Sequence, residues 1–302
     1  MSAKTKTKSG LSAIFSVNGE MVANNGEDSF FYGVDQTRAI IAAFDGCGGI
    51  GSRRYANFSG KTGAYVASRA VCGGVKNWFE VQSQDEIKSY MERALKVCSK
   101  YADKEGRLMG SLGKSFPTTA AIIESEGSAD KVTCKCFWAG DSRCYMLDEM
   151  GLHQLSLDDI DGEDAFSNIS GDGVLTNVVN ASSGFEIHEK RLVFKKPCIL
   201  IAASDGCFGY LNSPMEFEYM LLDTLMRSAS PGVWKQTLDS EIRSYTGDDY
   251  TLCVSVYAQD NFQKLKKSLE KRHSIVYREY IDTDGNSEEK WNKYKDAYSM
   301  YL

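Results

Sequence analysis

The chain has 302 residues, a formal net charge of −6 and a pI near 5.3. This length can bury a full hydrophobic core, whereas the acidic balance argues against nucleic acid as a partner, because binding to a phosphate backbone requires a basic face. No apolar stretch is long enough to span a membrane and the first residues lack the apolar core of a signal peptide, so we predict a cytoplasmic protein with no membrane partner.

The cysteines and histidines narrow the chemistry further. The nine cysteines are irregularly spaced, and several lie inside apolar runs, where thiols act as small hydrophobic residues. This usage predicts a reducing compartment. The three histidines are far apart in the chain, which disfavours a histidine-rich zinc site or a Ser-His-Asp triad. We therefore expect any catalytic chemistry to depend on carboxylates.

The first half of the chain predicts strands, then helices, then strands again. Residues 1–10 are polar and basic, and we expect them to be disordered. Antiparallel strands are predicted over 11–45, a helix over about 59–79, and a second helix that a capping box opens at 83–86. A β-meander is predicted over 117–156.

The second half begins with an acidic, turn-rich stretch, residues 158–173, which is too polar for the core; we name it the flap segment. Strands are predicted over 185–204 and 250–257. The two helices between them each begin with a Ser-Pro pair, at Ser213 and Ser230. The order of elements lacks βαβ alternation, which predicts an α+β fold of stacked antiparallel sheets.

A charged extension, residues 259–302, follows a domain predicted over 11–258, and it has no evident role in the core. Its aromatic residues Trp291, Tyr294, Tyr298 and Tyr301 recur at helical spacing, so we predict a terminal helix with an aromatic stripe. The stripe either packs on the chain's own domain or binds a partner through the extension.

Two similar apolar runs end in an Asp-Gly pair, at Asp45-Gly46 and at Asp205-Gly206. Asp-Gly is a favoured hairpin turn, but its recurrence after two similar strands favours a shared site. A carboxylate and a bare carbonyl suit a hard cation such as Mg²⁺ or Mn²⁺. Further carboxylates border predicted strands, namely Glu27, Asp28, Asp141, Asp248 and Asp249. Such a cluster is tolerated only if cations neutralise the mutual repulsion.

The ordered set of motifs over residues 11–257 resembles the metal-dependent serine/threonine protein phosphatases of the PP2C (PPM) family, of bacterial type. The matching stretches are residues 27–30 (Glu-Asp-Ser-Phe), 44–49 (Phe-Asp-Gly-Cys-Gly-Gly), 118–121 (Thr-Thr-Ala-Ala), 139–143 (Ala-Gly-Asp-Ser-Arg), 155–159 (Leu-Ser-Leu-Asp-Asp), 204–207 (Ser-Asp-Gly-Cys) and 247–251 (Gly-Asp-Asp-Tyr-Thr). The resemblance implies a four-layer α/β/β/α sandwich, in which helices flank two antiparallel sheets.

The resemblance also implies the site and its chemistry. Asp45, Asp205 and Asp248 would be the catalytic carboxylates, and Asp45 would bridge two Mn²⁺ or Mg²⁺ ions. The remaining implied ligands are the Gly46 carbonyl, Glu27 or Asp28, and, for a third ion, Asp141. A metal-bridging water or hydroxide would attack phosphoserine or phosphothreonine. The implied partners are a phosphorylated protein substrate and a serine/threonine kinase that acts opposite the phosphatase.

Three positions depart from the family's pattern. Ala23 stands where the family often has an arginine that binds the substrate phosphate, so either Arg53 or Arg54 replaces it or both are surface residues. Cys47 follows the first Asp-Gly pair, where other members have histidine or methionine, and Asp249 replaces the common asparagine.

Two other functions stay open on the sequence. Cys47 and Arg53 have the Cys-x5-Arg spacing of cysteine-dependent phosphatases, in which a thiolate is the nucleophile. That spacing arises readily by chance and leaves the aspartates unexplained. A non-catalytic PP2C-like binding or regulatory module is the other alternative; the absent arginine at position 23 favours it, and the retained metal-type carboxylates oppose it.

Overall fold

Two five-stranded antiparallel sheets form the centre of the protein. The computed structural model describes residues 10–102, 116–161, 164–167, 173–181, 184–258 and 260–302. The strands in these ranges are β1 (Ala13–Gly19), β2 (Ser29–Val34), β3 (Arg38–Phe44), β4 (Arg54–Tyr55), β5 (Lys61–Thr62), β6 (Ala120–Gly127), β7 (Lys131–Ala139), β8 (Arg143–Asp148), β9 (Gly151–Gln154), β10 (His188–Lys195), β11 (Cys198–Ala203) and β12 (Tyr250–Tyr257). The first sheet has the order β1-β12-β11-β8-β9 and the second the order β10-β7-β6-β3-β2, while β4 and β5 form a small hairpin.

Strand β3 shows why a strand buried on both faces carries no charge after its first residue. Because side chains alternate across a strand, Ile41 and Ala43 point into the core between the two sheets, whereas Ile40, Ala42 and Phe44 pack under helices on the outer face. Both faces are fully buried. A strand in this position reads as a continuous apolar run rather than as an alternating pattern, as found here.

Helices cover the outer faces of both sheets. They are α1 (Gly48–Gly51), α2 (Gly63–Glu80), α3 (Ile87–Tyr101), α4 (Pro214–Arg227), α5 (Pro231–Tyr245), α6 (Phe262–Val276) and α7 (Ser287–Tyr298). Helices α2 and α3 pack on the second sheet, and α4 to α7 pack on the first. The predicted α+β, four-layer α/β/β/α sandwich is thus confirmed. None of the helices in the described ranges combines the length and apolar character that a membrane span requires.

The predicted helix starts are confirmed in two cases and wrong in one. The hydroxyls of Ser213 and Ser230 cap α4 and α5, each with proline in the first turn. The capping box predicted at 83–86 does not form. Helix α3 starts after Glu86, whose side chain makes no cap bond, and the Ser83 hydroxyl instead accepts from the Asp85 N–H at 3.1 Å. The local Ser83 turn has therefore replaced the helix cap.

The C-terminal extension belongs to the folded core. Helices α6 and α7 are joined by a π-helical turn, Tyr277–Ile281. Trp291, Tyr294 and Tyr298 are at most 3% exposed and pack in the cluster between the first sheet and its helices. Tyr301, predicted in the same stripe, lies beyond the end of α7 and packs against the core between the two sheets. The aromatic stripe thus packs on the chain's own domain. The expectation that the extension has no role in the core is wrong, because its exposed charges hide an apolar face.

Some predictions concern residues that the structure does not describe. The lead predicted to be disordered, residues 1–10, lies outside the described residues apart from Gly10. The flap segment is described at 158–161, at 164–167 and at its last residue, Gly173.

Candidate active site

The acidic residues singled out in the sequence meet at one end of the two sheets. Asp45 directly follows β3 in the second sheet, and Asp205 follows β11 in the first sheet after one serine. Strand ends and loops contribute the others. Together they surround a cavity of about 380 Å³ that is lined by Glu27, Asp45, Gly46, Cys47, Gly48, Gly49, Ile50, Asp141, Leu175, Asp205, Asp248 and Asp249.

Asp45 and Asp205 form the centre of this acidic group. The pKa of Asp45 is raised well above its usual range, first by burial and then by the negative charge of Asp205 and other nearby aspartates. Burial also raises the pKa of Asp205, although a hydrogen bond with Asp45 and the Gly206 N–H oppose the rise. The two side chains that were predicted to share a site therefore line the same cavity and interact electrostatically.

Two of the surrounding aspartates have a buried oxygen with no hydrogen-bond partner among the described residues, Oδ1 of Asp28 and Oδ1 of Asp141. The other carboxylate oxygen of Asp28 accepts from the Ser204 hydroxyl at 2.7 Å. Burial raises the pKa of both aspartates to about 7, and the charge of Asp205 adds to the rise. Asp141 lines the cavity, whereas Asp28 is not one of its lining residues. Buried unpartnered oxygens carry a large cost unless a ligand satisfies them.

Asp248 and Asp249 border the cavity just before β12 and have different tasks. Burial and the charge of Asp205 raise the pKa of Asp248 to about 6. The Asp249 carboxylate instead accepts from the backbone N–H groups of Met21 and Glu27, both at 2.7 Å. Asp249 therefore fixes the loop that carries Glu27, a role that the sequence did not indicate.

Glu27 lines the cavity. It lies on this loop, and helix α2 holds it through two hydroxyl groups. The Thr62 hydroxyl, which also caps α2, donates to its carboxylate. The Ser68 hydroxyl donates to its backbone carbonyl at 2.5 Å. Burial raises the pKa of Glu27, while the hydrogen bond from Thr62 opposes the rise. Helix α2 thus fixes both the backbone and the side chain of this glutamate.

Gly46 is required by close packing. A Cβ at this position would lie 2.6 Å from the Ala64 carbonyl oxygen on α2, closer than real Cβ contacts come. The preceding Asp45 carbonyl accepts from the Thr119 N–H and from the Thr118 hydroxyl, both at 2.7 Å. The backbone at the end of β3 is therefore held rigidly between α2 and the threonine pair.

A buried ion pair beneath the carboxylates was missed as a functional feature. Arg143 binds Asp158 through Nε and Nη2 at distances of 2.7 to 3.1 Å, and both side chains are 2% exposed. The Arg143 charge lowers the pKa of Asp141 and Asp205 against the effect of burial. Arg143 lies in the motif at 139–143 and Asp158 in the motif at 155–159. Their opposite charges in two motifs of the same family are the signal from which the pair could have been suggested.

The two candidate phosphate arginines do not line the cavity. The Arg53 guanidinium lies over the Tyr55 ring at 5.1 Å from its centroid. The Arg54 guanidinium donates to the Gly60 carbonyl at 2.9 Å and lies close enough to Glu27 to lower its pKa. Cys47 lines the cavity but Arg53 does not, so the geometry gives no support to a Cys-x5-Arg phosphate loop.

The donor set fits a hard divalent cation. It offers carboxylate oxygens, a backbone carbonyl and two buried oxygens without hydrogen-bond partners, all preferred by Mg²⁺ and Mn²⁺. Within the described ranges, no three His, Cys, Asp or Glu side chains are arranged to hold one ion by themselves. Mg²⁺ sites commonly complete their coordination with several waters around one or two carboxylates, so sparse protein ligation agrees with this donor set.

Comparison with solved structures supports the fold. The Staphylococcus aureus serine/threonine phosphatase Stp1 superposes with a TM-score of 0.59 at 14% identity, covering 85% of this chain and 99% of that chain. PppA, a regulatory component of T6SS in Pseudomonas aeruginosa, gives 0.54 at 18% identity, covering 81% and 96%. The catalytic domain of the serine/threonine phosphatase PstP, in complex with two manganese ions, gives 0.53 at 14% identity, covering 82% and 98%.

Comparison of sequences settles the family. No curated protein gives a significant sequence match to this chain. The family model for protein phosphatase 2C, however, matches residues 22–242, a span that contains Glu27, Asp45, Asp141 and Asp205. A match over most of the chain, on the fold expected for that model and around the acidic cavity described above, places the protein in the protein phosphatase 2C family.

Proposed function

We propose that the protein hydrolyses phosphoserine and phosphothreonine in phosphorylated proteins and depends on Mn²⁺ or Mg²⁺. The observation that carries the proposal is that Asp45 and Asp205 line one cavity among further buried acids, two of which have unpartnered oxygens. Such a group is unfavourable as it stands and becomes favourable when divalent cations bind it. Membership of the protein phosphatase 2C family supplies the reaction class.

The residues that would hold the cations are those implied by the resemblance. Asp45 would be shared between two ions, the Gly46 carbonyl with Glu27 or Asp28 would serve one, and Asp205 with Asp248 the other. Asp141 is proposed for a third. Bound divalent cations would neutralise charge on the phosphoryl oxygens and acidify a bound water. PstP, one of the structurally similar phosphatases, holds two manganese ions.

The chain's own groups prepare the cavity for this chemistry. Arg143 lies beneath the carboxylates and favours the ionised forms of Asp141 and Asp205, which are the forms that bind cations. An acidic lining repels a phosphate monoester, so the substrate binds only after cations have reversed the local charge. Of the two candidate arginines, we propose Arg54 for the substrate phosphate, because its charge reaches Glu27 at the cavity rim.

The alternatives have less support. Among the residues that the structure describes, no contact favours a non-catalytic module, and buried acids of this kind would be costly to keep in a site that binds no cation. A cysteine mechanism would need the thiol of Cys47 and the guanidinium of Arg53 around one phosphate, whereas only Cys47 lines the cavity.

We further propose that the protein acts in the cytoplasm, on the substrates of a serine/threonine kinase. Its nine cysteines are all free thiols, in keeping with a reducing compartment. A partner that binds the extension would have to use its outward face, including Asn292, Lys293 and Asp296, because the aromatic stripe is covered.

The decisive experiment measures release of phosphate from a phosphothreonine peptide with Mn²⁺ or with EDTA. We expect activity only with the cation, loss of at least about a hundredfold in Asp205→Asn, and little change in Cys47→Ser, which keeps a small side chain at the cavity wall. Calorimetry should show weaker Mn²⁺ binding in Asp205→Asn. Turnover that persists in EDTA and disappears in Cys47→Ser would establish the cysteine mechanism instead.

A further inference from the structure

The carboxylate of Asp159, at the start of the flap segment, binds three separate parts of the chain. Its Oδ2 accepts from the Gly140 N–H at 2.9 Å and from Nδ2 of Asn177 at 2.8 Å, and its Oδ1 accepts from Nε2 of His188 at 2.8 Å. These partners lie in the turn between β7 and β8, in the stretch 173–181 and at the start of β10. Asp159 therefore joins three segments, although it is not itself a lining residue of the cavity.

Two of the donors are held by contacts of their own. The His188 ring stacks on Trp138, the residue opposite it on β7, with the centroids 5.1 Å apart and the planes at 29°. The side chain of Asn177 also binds the carbonyl and the N–H of Glu186, at 3.0 and 3.1 Å. The carboxylate of Asp159 is therefore directed by partners that already have fixed positions.

Gly140 connects Asp159 to the acids at the cavity. The Gly140 N–H donates to Oδ2 of Asp159, and the Gly140 carbonyl accepts from the Asp159 N–H at 3.0 Å. Within the described ranges, Asp159 is the only hydrogen-bond partner of the Gly140 N–H. The next residue, Asp141, lines the cavity and has a buried oxygen without a hydrogen-bond partner among the described residues. One peptide bond thus separates the residue that Asp159 binds from a proposed cation ligand.

Gly140 is also the most permissive residue of this turn. Its φ of +89° lies in the region that favours glycine, and glycine adopts many backbone conformations unless it is held. On the other side of Asp141, the Ser142 hydroxyl binds the Thr119 hydroxyl at 2.6 Å, which fixes the chain only after Asp141. The hydrogen bonds with Asp159 fix the backbone before it. The direction in which the Asp141 side chain leaves the turn therefore depends on Asp159.

We propose that Asp159 is a positioning residue for cation binding at Asp141, and that His188 orients its carboxylate. The proposal rests on the proposed function, which assigns Asp141 to a third cation. Loss of a residue that supports a metal ligand weakens metal binding by about ten- to a hundredfold, and a site with few protein ligands has little else to compensate. Loss of Asp159 should thus weaken binding at Asp141 and spare the ions at Asp45 and Asp205.

Three variants separate this role from a general loss of structure. Asp159→Ala removes the acceptor of the Gly140 N–H and keeps the backbone bond to the Gly140 carbonyl. Asp159→Asn keeps an acceptor for Gly140 and turns its amide towards the imidazole, which accepts in its other tautomer. Asp148→Ala is the matched control, because Oδ1 of Asp148 likewise binds a turn N–H, that of Met150, and a histidine ring, at the opposite end of β8.

The first test is hydrogen exchange of the full chain in EDTA, followed by NMR. We expect the Gly140 amide to exchange about tenfold faster in Asp159→Ala, with no change in Asp159→Asn or Asp148→Ala. His188→Phe keeps an aromatic ring on Trp138 but removes one donor to the carboxylate, so exchange should be about threefold faster. This variant carries the test if Asp159→Ala does not fold.

The second test is Mn²⁺ binding to the full chain, measured by calorimetry. Asp159→Ala should weaken the part of the binding that Asp141→Asn removes by about tenfold, and it should have no further effect in the Asp141→Asn background. The Mn²⁺ concentration for half-maximal hydrolysis of a phosphothreonine peptide should rise by the same factor. Asp159→Asn and Asp148→Ala should keep the wild-type values.

Three results would overturn the proposal. Equal losses of Mn²⁺ affinity in Asp159→Asn and Asp159→Ala would mean that the charge of Asp159, not its hydrogen bond, attracts the cation. An equal loss in Asp148→Ala would assign the effect to general loosening of the sheet. Unchanged Gly140 exchange in Asp159→Ala and His188→Phe would show that the carboxylate does not fix the turn. If the wild-type protein hydrolyses no phosphate ester, the proposed function fails, and exchange and calorimetry still decide the role of Asp159.

Discussion

At the scale of single residues, the acids at the cavity are held in a state that is unfavourable without cations. The pKa values of Asp28 and Asp141 are about 7 and that of Asp248 is about 6, above the value of about 3.9 in an unfolded chain. Between these limits the folded, cation-free protein binds more protons than the unfolded chain. Its free energy of unfolding therefore falls as the pH rises from about 4 through about 7.

This reasoning predicts the pH dependence of thermal stability. In EDTA, the melting temperature should fall between about pH 5 and pH 8, and Mn²⁺ should remove most of the fall, because cations replace protons as the neutralising charge. Asp141→Asn should flatten the EDTA curve, since an amide carries no charge to bury. The exposed Asp284→Asn is the control and should follow the wild-type curve. Identical curves for Asp141→Asn and the wild type would contradict the raised pKa.

A second prediction distinguishes the two adjacent arginines. We expect Arg54→Ala to raise KM for a phosphopeptide about fivefold without changing Mn²⁺ affinity, because a guanidinium near Glu27 can bind phosphoryl oxygens. Arg53→Ala should have less than about a twofold effect, since its guanidinium lies over Tyr55. Steady-state kinetics and calorimetry on both variants test this. A wild-type KM in each would mean that the bound cations alone hold the phosphate.

At the scale of elements, sequence patterns predicted the strand ends well and the contacts between them poorly. Asp45 and Asp205 could be placed because each follows an uninterrupted apolar run, the mark of a strand buried on both faces. The Arg143–Asp158 pair could not be predicted from the sequence. The pairing depends on the three-dimensional path of the chain between the start of β8 and Asp158, which residue patterns do not specify.

Helix α3 illustrates the same limit on a smaller scale. Residues 83–86 have the sequence of a capping box, but the Ser83 hydroxyl accepts a hydrogen bond from the Asp85 N–H. This hydroxyl therefore does not cap the helix, which begins only after Glu86. Asp249 is a further case. The sequence grouped it with the carboxylates that border predicted strands and gave it no role of its own, whereas both of its oxygens accept hydrogen bonds from the loop that carries Glu27. Residue type and sequence spacing do not distinguish a metal ligand from a residue that positions a metal ligand.

At the scale of the whole molecule, the extension packs into the same core as the domain predicted to end at residue 258, so we infer that this domain needs it. Helices α6 and α7 bury six large apolar or aromatic side chains to 3% exposure or less: Leu265, Leu269, Val276, Trp291, Tyr294 and Tyr298. The Arg272 guanidinium also binds the fully buried Glu218 on α4 at 2.6 and 2.8 Å. The charged composition of residues 259–302 concealed this, although the spacing of the aromatic residues indicated a buried stripe.

A chain that ends at Ala258 is therefore expected to lose its native packing. Burial of a large apolar side chain contributes about 1.5 to 3 kcal/mol, so six of them amount to about 9 to 18 kcal/mol, which is comparable to the whole stability of a typical domain. Truncation would in addition leave the apolar faces of α4 and the first sheet exposed to water. We expect the shortened chain to aggregate, or to retain secondary structure without fixed tertiary packing.

Near-ultraviolet circular dichroism and calorimetry of the soluble fraction would measure this loss, and a chain that lacks only the exposed Leu302 controls for truncation itself. Supplying residues 260–302 as a separate segment should recover part of the signal, because the docking surface on α4 and the first sheet would still be present. A chain ending at Ala258 that melts cooperatively at the wild-type temperature would show that α6 and α7 are an appendage, and that residues 11–258 fold by themselves.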